Sequence, residues 1–106
     1  MKSYKHEDER RFLIEWVKNY PMRSAKVVIA KEDCEVGDHY HNHKVEIFCL
    51  LSGEGEYKIE TIDDWKPLSD VVLVPKGVRH TFRLKKGSIL LGAASAQFDS
   101  KDENTI

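Results

Sequence analysis

The chain after residue 25 consists of short hydrophobic runs separated by residues that favour turns. The runs are rich in β-branched and aromatic side chains and cover residues 26–30, 45–51, 56–62, 70–74, 80–84 and 88–94. Glycine and proline stand between them, at Gly53, Gly55, Pro67, Gly77 and Gly87. Because the runs are short and no helical pattern lies between them, they predict the antiparallel strands of an all-β sandwich or barrel, not alternating βαβ units.

Two of the predicted strands are apolar on both faces. In the run 45–51 one face holds Glu46, Phe48 and Leu50, and the other holds Val45, Ile47, Cys49 and Leu51. The run 71–74 has no polar side either. An antiparallel strand with a single buried face alternates polar and apolar residues, so a further layer must cover the second face. We predict that a second copy of the chain covers it, as a homodimer. Cover by the chain's own N-terminal segment is the alternative.

The two ends of the chain carry weaker patterns. Residues 8–20 fit a helical stripe through Phe12, Leu13, Trp16, Val17 and Tyr20, and they also fit a strand alternation through Phe12, Ile14 and Trp16. We expect a short helix in preference to a strand, ended by Pro21, which has no N–H to donate. Residues 99–106 are polar, and we expect them to be frayed or draped over the surface.

Composition limits the class of protein and its partners. The 106 residues predict one domain over residues 1–106, with an N-terminal extension over residues 1–22. The 17 Lys and Arg balance 18 Asp and Glu, which argues against a nucleic-acid partner. With no signal-peptide pattern and no run near the roughly 20 apolar residues of a membrane span, we expect a cytoplasmic protein without a membrane partner. Cys34 and Cys49 are expected to be reduced, structural thiols.

Four of the five histidines, His39, His41, His43 and His80, lie in or near two short polar segments. His39 and His41 are two apart, so on an extended strand their rings leave the same face. Glu46 has the opposite parity, but residues 42–44 are polar and can form a hairpin turn that returns Glu46 beside the pair. His80 follows Pro75 and Gly77, which can aim a third strand inward.

Three imidazoles and one carboxylate suit one divalent metal ion. The set does not separate zinc, iron, manganese, nickel, cobalt and copper. If the shell has an open position, the ion can take part in chemistry; if it is closed and tetrahedral, the ion is structural. A hydrogen-bonded polar cluster without an ion is the alternative. His6, near the N-terminus, has no expected role.

The order of these residues resembles a known family. The spacing His39-x-His41-x4-Glu46-x6-Gly53, followed by Pro75-x-Gly77-x2-His80, is similar to the two motifs of the cupin superfamily, over residues 37–53 and 69–84. The resemblance implies a jelly-roll β-barrel with His39, His41, Glu46 and His80 as metal ligands. Three positions depart from the family pattern, Gly37, Ser69 and Leu84, and they concern the turns more than the ligands.

Further residues resemble small cupins of polysaccharide biosynthesis. They are Asp8-Glu9-Arg10, the stretch 37–46, and the tail Phe98-Asp99-Ser100. This group includes nucleotide-sugar 3-epimerases, ketoisomerases and the C-terminal cupin domain of bifunctional capsular-polysaccharide enzymes. Such ketoisomerases tend to have Gln where this chain has Glu46, so the metal-binding capsular type is the nearer match. The same resemblance implies a strand at residues 10–17, against the helical stripe.

We therefore predict a metal-binding cupin that acts on a sugar or sugar nucleotide by isomerase or epimerase chemistry. An enzyme of this kind removes a proton next to a carbonyl, for which it needs a base. The candidate bases are His43 and Tyr57, and the candidate substrate-binding residues are Lys26, Phe48, Arg79 and Phe82. A non-catalytic module that binds or senses a small molecule through the metal, and a metal-dependent dioxygenase, are the alternatives.

Overall fold

The computed structural model describes residues 2–60, 64–97, 99–102 and 104–105. Within these ranges the regular elements are β1 (Tyr4–Glu7), β2 (Phe12–Glu15), β3 (Ser24–Ile29), β4 (Cys34–Tyr40), β5 (Glu46–Ser52), β6 (Gly55–Ile59), β7 (Lys66–Pro67), β8 (Val72–Val74), β9 (His80–Leu84), β10 (Ile89–Ala94), a 3-10 helix (Ser100–Asp102) and β11 (Asn104–Thr105). The strand pairs are antiparallel. The predicted all-β architecture is confirmed, and no helix in the described part of the chain is long and apolar enough to cross a membrane.

Two sheets face each other across one core. The first has the strand order β3-β10-β5-β8 and the second has the order β11-β4-β9-β6-β7, while β1 and β2 form a separate hairpin. The core between the sheets is built from Ala30, Phe48, Leu68, Val72, Val74, Phe82, Leu84 and Leu90. Ala30 and Leu68 follow directly after β3 and β7, and the others lie on inward-facing positions of the strands, as expected when each strand turns one face inward.

Each of the six predicted runs contains a strand, but β1, β4, β7 and β11 lie outside those runs, and β4 is the longest of these four. The strand β4 is interrupted by polar residues and by Gly37 and Asp38, so it lacks the alternation that marks the others. It pairs along β9 and carries His39 near its end. The run 56–62 was predicted too long, because the strand ends at Ile59; residues 61–62 lie outside the described residues.

The helix expected within residues 8–20 is wrong. Asp8 Oδ1 accepts hydrogen bonds from the backbone N–H groups of Arg10 and Arg11, at 2.8 and 3.0 Å. This turn reverses the chain, so that β2 pairs with β1 in place of continuing as a helix. Ile14 and Trp16, at the alternate positions of the competing strand pattern, then pack on the outer side of the first sheet.

The N-terminal segment covers much of the second apolar face of β5. On that outer side lie Ile47, Cys49 and Val71, and their partly buried neighbours are Ile14, Trp16, Val17, Met22, Leu73 and Leu91. The structure thus shows the alternative stated above, in which the chain's own N-terminal segment covers this face. The cover is incomplete, because Val27 and Ile29 on the edge strand β3 remain 62% exposed. The homodimer stays a prediction.

The expectation of a frayed or draped C-terminal tail is wrong for its described part. Asn104 and Thr105 pair with Tyr40 and His39 on β4. Asp102, in the short 3-10 helix, is only 6% exposed. A polar segment is held here by hydrogen bonds to backbone groups, which hydrophobic periodicity does not reveal.

Candidate metal centre

A β-bulge turns His39 into the barrel. Along β4 and β9, Val36 pairs with Phe82 and Gly37 with Thr81, but His39 then pairs with His80, so Asp38 is an extra residue. One extra residue reverses the face on which the following side chains lie. His39 therefore points to the same side as Val36, which packs against the inner core. Gly37 and Asp38 adopt positive φ angles of 97° and 68° to make the bulge.

Asp38 is held in the bulge from the neighbouring strand. Its Oδ1 accepts hydrogen bonds from Arg79 Nε at 2.8 Å, from Arg79 Nη2, and from Thr81 Oγ1 at 3.3 Å. The Arg79 guanidinium lowers the pKa of Asp38 below its ordinary value. Arg79, predicted to bind substrate, is thus engaged with a carboxylate that lies beside the metal-ligand strand.

Four predicted ligands converge. His39, His41, Glu46 and His80 each place one ligand atom within 4.8 Å of all the others. His41, Glu46 and His80 are 2–3% exposed. Glu46 Oε1 lies 3.0 Å from His41 Nε2 and 3.4 Å from His80 Nε2. Atoms bound to one ion at about 2.0–2.2 Å are themselves roughly 3–3.5 Å apart, so these separations fit a shared ion.

Glu46 does not reach the histidines by a hairpin, so that expectation is wrong. The strand β4 pairs with β9 and β11, whereas β5 belongs to the opposite sheet. The polar link after β4 crosses from one sheet to the other, and Glu46 therefore faces the histidines across the barrel. His80 comes from β9, on the same sheet as His39.

Two backbone carbonyls fix the rings of His41 and His80. Nδ1 of His41 lies 2.9 Å from the Asp102 carbonyl oxygen, and Nδ1 of His80 lies 3.1 Å from that of Val78. Since a carbonyl only accepts, each Nδ1 must donate, and in a neutral ring the lone pair is then on Nε2. Both lone pairs consequently face Glu46, which is the arrangement of metal-binding histidines whose other nitrogen is held by a carbonyl.

Two of the candidate ligand atoms are buried in a way that favours a bound cation. Among the described residues, the buried atoms His41 Nε2 and Glu46 Oε1 have no hydrogen-bond partner, although they are 3.0 Å apart. The contact lacks hydrogen-bond geometry, so a proton on the ring does not join them. Two buried acceptors facing each other are costly unless something positive lies between them. The residues present therefore fit a divalent ion.

The carboxylate is kept charged. Burial by itself raises the pKa of Glu46, but the His80 ring, the Lys26 ammonium and His41 outweigh that effect and lower the pKa to about 2, as they do when the two rings carry their protons and no ion is bound. Lys26 Nζ lies 3.7 Å from Glu46 Oε2. A charged carboxylate is the form that binds a metal ion.

Three of the four predicted substrate-binding residues lie beside the ligands. The Phe48 and Phe82 rings pack at a tilt of 54° with their centroids 4.5 Å apart, and each centroid is about 6 Å from that of His80. Lys26 Nζ lies 5.6 Å from the Phe48 ring centroid. Next to Glu46 a cavity of about 130 Å³ is lined in part by Lys26 and Lys44. The site thus has a basic side, and the two phenylalanines, 3% and 1% exposed, pack behind it in the core.

The two candidate bases lie in different surroundings. His43 is exposed on the link between the sheets. Tyr57 is partly buried on β6, pairs with Phe82 and packs against the inner core. His6, on β1, forms an exposed pair with Asp8.

Another cavity, of about 770 Å³, lies at the other end of the barrel. It is lined by residues such as Cys34, Leu50 and Leu84, at the ends of their strands away from the histidines. Its charged rim is largely paired, as in the contacts of Arg83 with Glu35 and of Lys85 with Asp33. The metal ligands are not among its lining residues.

Asp102 was missed by the sequence reasoning. Its carbonyl holds His41, and its carboxylate accepts hydrogen bonds from the backbone N–H groups of Asn42 and His43, at 2.8 and 3.1 Å. An aspartate in a polar tail gives no periodic or motif signal. The tail drew attention only through Phe98-Asp99-Ser100, of which Phe98 lies outside the described residues.

Comparisons with known proteins agree with this fold. The family model described as Polysaccharide biosynthesis C-terminal domain matches residues 6–73. No curated protein sequence matches the chain significantly. Among solved structures, the rmlC epimerase of Mycobacterium tuberculosis superposes with a TM-score of 0.83 at 18% identity, covering 100% of this chain and 66% of that one. The predicted jelly-roll barrel is confirmed.

Two further solved structures share the fold. The QdtA 3,4-ketoisomerase of Thermoanaerobacterium thermosaccharolyticum, in complex with TDP, has a TM-score of 0.80 at 19% identity, covering 96% of this chain and 82% of that one. The capsular polysaccharide assembling protein CapF of Staphylococcus aureus has a TM-score of 0.69 at 24% identity, covering 98% of this chain but 34% of that one. This chain thus spans about a third of CapF. At these identities the likeness shows the fold.

Proposed function

Since the chain belongs to the polysaccharide biosynthesis C-terminal domain family, with a cupin fold, we propose that it acts on a sugar or sugar nucleotide as a metal-binding isomerase or epimerase. Structural neighbours that are an epimerase and a 3,4-ketoisomerase support the reaction type. The complex of the ketoisomerase with TDP supports a nucleotide-linked substrate.

One observation carries the metal part of this proposal. His41 Nε2 and Glu46 Oε1 are buried acceptors that face each other without a hydrogen-bond partner among the described residues. His39 and His80 add two further donors at the same point. A divalent ion held there would polarise a substrate carbonyl and stabilise the negative charge that develops when the neighbouring proton leaves.

The surrounding residues have roles that follow from their positions. Lys26 offers a positive charge beside Glu46 for a phosphate or hydroxyl group of the substrate. Phe48 and Phe82 are 3% and 1% exposed, so they support the ligand residues from the core. Tyr57, inside the barrel, and His43, on the link, are the candidate bases. The ligand histidines are not available as bases when their Nε2 lone pairs bind an ion.

A solvent-exchange experiment tests the reaction. Metal-loaded protein is incubated in deuterated water with nucleotide 4-keto-sugars, and label at C3 or C5 is followed by mass spectrometry. We expect label with the unsubstituted chain and with Glu56→Gln, an exposed glutamate on β6, and none with Glu46→Gln. A folded, metal-loaded chain that labels none of these sugars contradicts isomerase or epimerase chemistry.

A non-catalytic binding module is the second candidate, because neither candidate base, His43 or Tyr57, is among the described residues that line the cavity beside Glu46. Binding of a nucleotide sugar, measured by calorimetry, without exchange of label would support this candidate over the enzyme.

We also propose that the chain forms a homodimer through the outer side of the first sheet. Val27 and Ile29 are exposed there beside Leu91, which pairs with Val27 and packs on the outer cluster. Isolated exposed apolar side chains are common, but neighbours on one sheet face are typical of an interface. Light scattering at two protein concentrations tests this, and Val27→Glu should give the monomer mass.

A further inference from the structure

The C-terminal segment lies along the part of the chain that carries two metal ligands. Asn104 pairs with Tyr40 and Thr105 pairs with His39. The Asn104 side-chain amide donates to the Tyr40 carbonyl at 3.2 Å. The end of β4 is therefore paired with β11, a strand that is more than 60 residues away in sequence.

Asp102 accepts hydrogen bonds from the three residues that follow Tyr40, namely His41, Asn42 and His43. Its carbonyl oxygen accepts the hydrogen bond from His41 Nδ1 at 2.9 Å. Its two carboxylate oxygens accept from the backbone N–H groups of Asn42 and His43. With 6% exposure, the residue is buried in this link. A single residue thus fixes both the ring of one ligand and the backbone that follows it.

We propose that Asp102 is a positioning residue for the metal centre. Its carboxylate holds the link in place, and its carbonyl holds the His41 ring in the tautomer and orientation that turn the Nε2 lone pair toward Glu46. This inference rests on the proposed function, because it assigns Asp102 a role toward the ion that His41 would bind.

Replacement of the carboxylate should act on His41 through the backbone. In Asp102→Ala two backbone N–H groups of the link lose their acceptor, so the link relaxes and the carbonyl moves relative to the ring. A residue that orients a metal-binding histidine typically contributes about 10- to 100-fold to metal affinity. We expect a loss in that range for Asp102→Ala and a smaller one for Asp102→Asn, which keeps one acceptor oxygen.

The experiment compares Asp102→Ala, Asp102→Asn and the unsubstituted chain by competition for Zn²⁺ against a chromophoric chelator. Lys101→Ala is the matched control, because Lys101 is exposed on the same 3-10 helix. The visible absorption of bound Co²⁺ reports the ligand geometry. In metal-free protein, ¹⁵N shifts of the His41 ring report the tautomer. We expect the Nδ1–H form in the unsubstituted chain and in Lys101→Ala, and a mixture in Asp102→Ala.

The outcomes separate the two proposals. If the unsubstituted chain binds no divalent ion, the metal part of the proposed function fails, and this inference fails with it. If the unsubstituted chain binds Zn²⁺ and a folded Asp102→Ala chain binds it equally well with the same Co²⁺ spectrum, this inference alone is overturned. Should Asp102→Ala not fold by circular dichroism, Asp102→Asn decides: unchanged affinity and unchanged His41 tautomer overturn the inference.

Discussion

Nε2 of His41 lies 3.0 Å from Oε1 of Glu46, and both are buried acceptors. The arrangement has a direct consequence for metal content. His41→Ala removes one of the four donors and should lower bound metal sharply, whereas His43→Ala should leave it nearly unchanged because His43 is exposed on the link. Elemental analysis of protein purified without a histidine tag measures both. Equal losses would mean that His43 is a ligand in place of His39.

The low pKa of Glu46 predicts how the stability of metal-free protein depends on pH. The pKa is about 2 in the folded chain against 4.5 for an ordinary glutamate. The folded state therefore binds this proton less tightly, so the contribution of Glu46 to stability is present above pH 4.5 and is lost as the pH falls toward 2. Its size is on the order of 3 kcal/mol.

Denaturant unfolding in the presence of a chelator, at steps between pH 5 and pH 2.5, measures this effect. Other carboxyls, among them Asp38 and Asp70, also have lowered pKa values, so the comparison is with Glu46→Gln. The difference in the free energy of unfolding between the two proteins should change with pH in this window. A constant difference would contradict the lowered pKa.

The contact between Arg79 and Asp38 predicts that Arg79 acts on the metal ligand beside the bulge. Arg79→Met should lower Zn²⁺ affinity a few-fold, since the bulge then loses part of what fixes His39. Zn²⁺ competition and substrate kinetics together test this. Unchanged metal affinity with a raised KM would instead assign Arg79 to substrate binding, as the sequence predicted.

The positive φ of Asp38 predicts a difference between two substitutions at one position. Both Asp38→Gly and Asp38→Ala lose the side-chain contacts, but alanine must also adopt a left-handed conformation. Glycine does so at little cost, so Asp38→Ala should be less stable than Asp38→Gly by about 1 kcal/mol. Urea unfolding measures the two values. Equal stability would mean that the bulge rearranges when the aspartate is removed.

The N-terminal hairpin predicts a stabilising role for Trp16. Trp16→Ala uncovers part of the outer cluster around Ile47 and should lower the free energy of unfolding by about 3 kcal/mol. Phe12→Ala is the matched control, because Phe12 is 48% exposed. It should lower the free energy of unfolding by much less than Trp16→Ala does. A Trp16→Ala effect that depends on protein concentration would mean that the segment covers a partner subunit and not its own.

Local patterns in the chain were enough to predict the class of fold and the four side chains that converge in the barrel. Alternating hydrophobic runs and glycine or proline turns are local properties, so the strands β3, β5, β6, β8, β9 and β10 could be predicted from them. The set His39, His41, Glu46 and His80 was predicted because metal-binding side chains are chemically distinct, and the structure brings their ligand atoms together.

How these residues face one another depends on contacts between segments that are distant in sequence. The face of the sheet on which His39 lies depends on a bulge, and a contact between residues 38 and 79 holds that bulge. Glu46 reaches the site by a crossing between sheets and not by a hairpin. The orientation of His41 depends on Asp102, which is 61 residues away in sequence. Such contacts form between segments whose local patterns carry no information about each other, so no reading of periodicity or spacing could supply them.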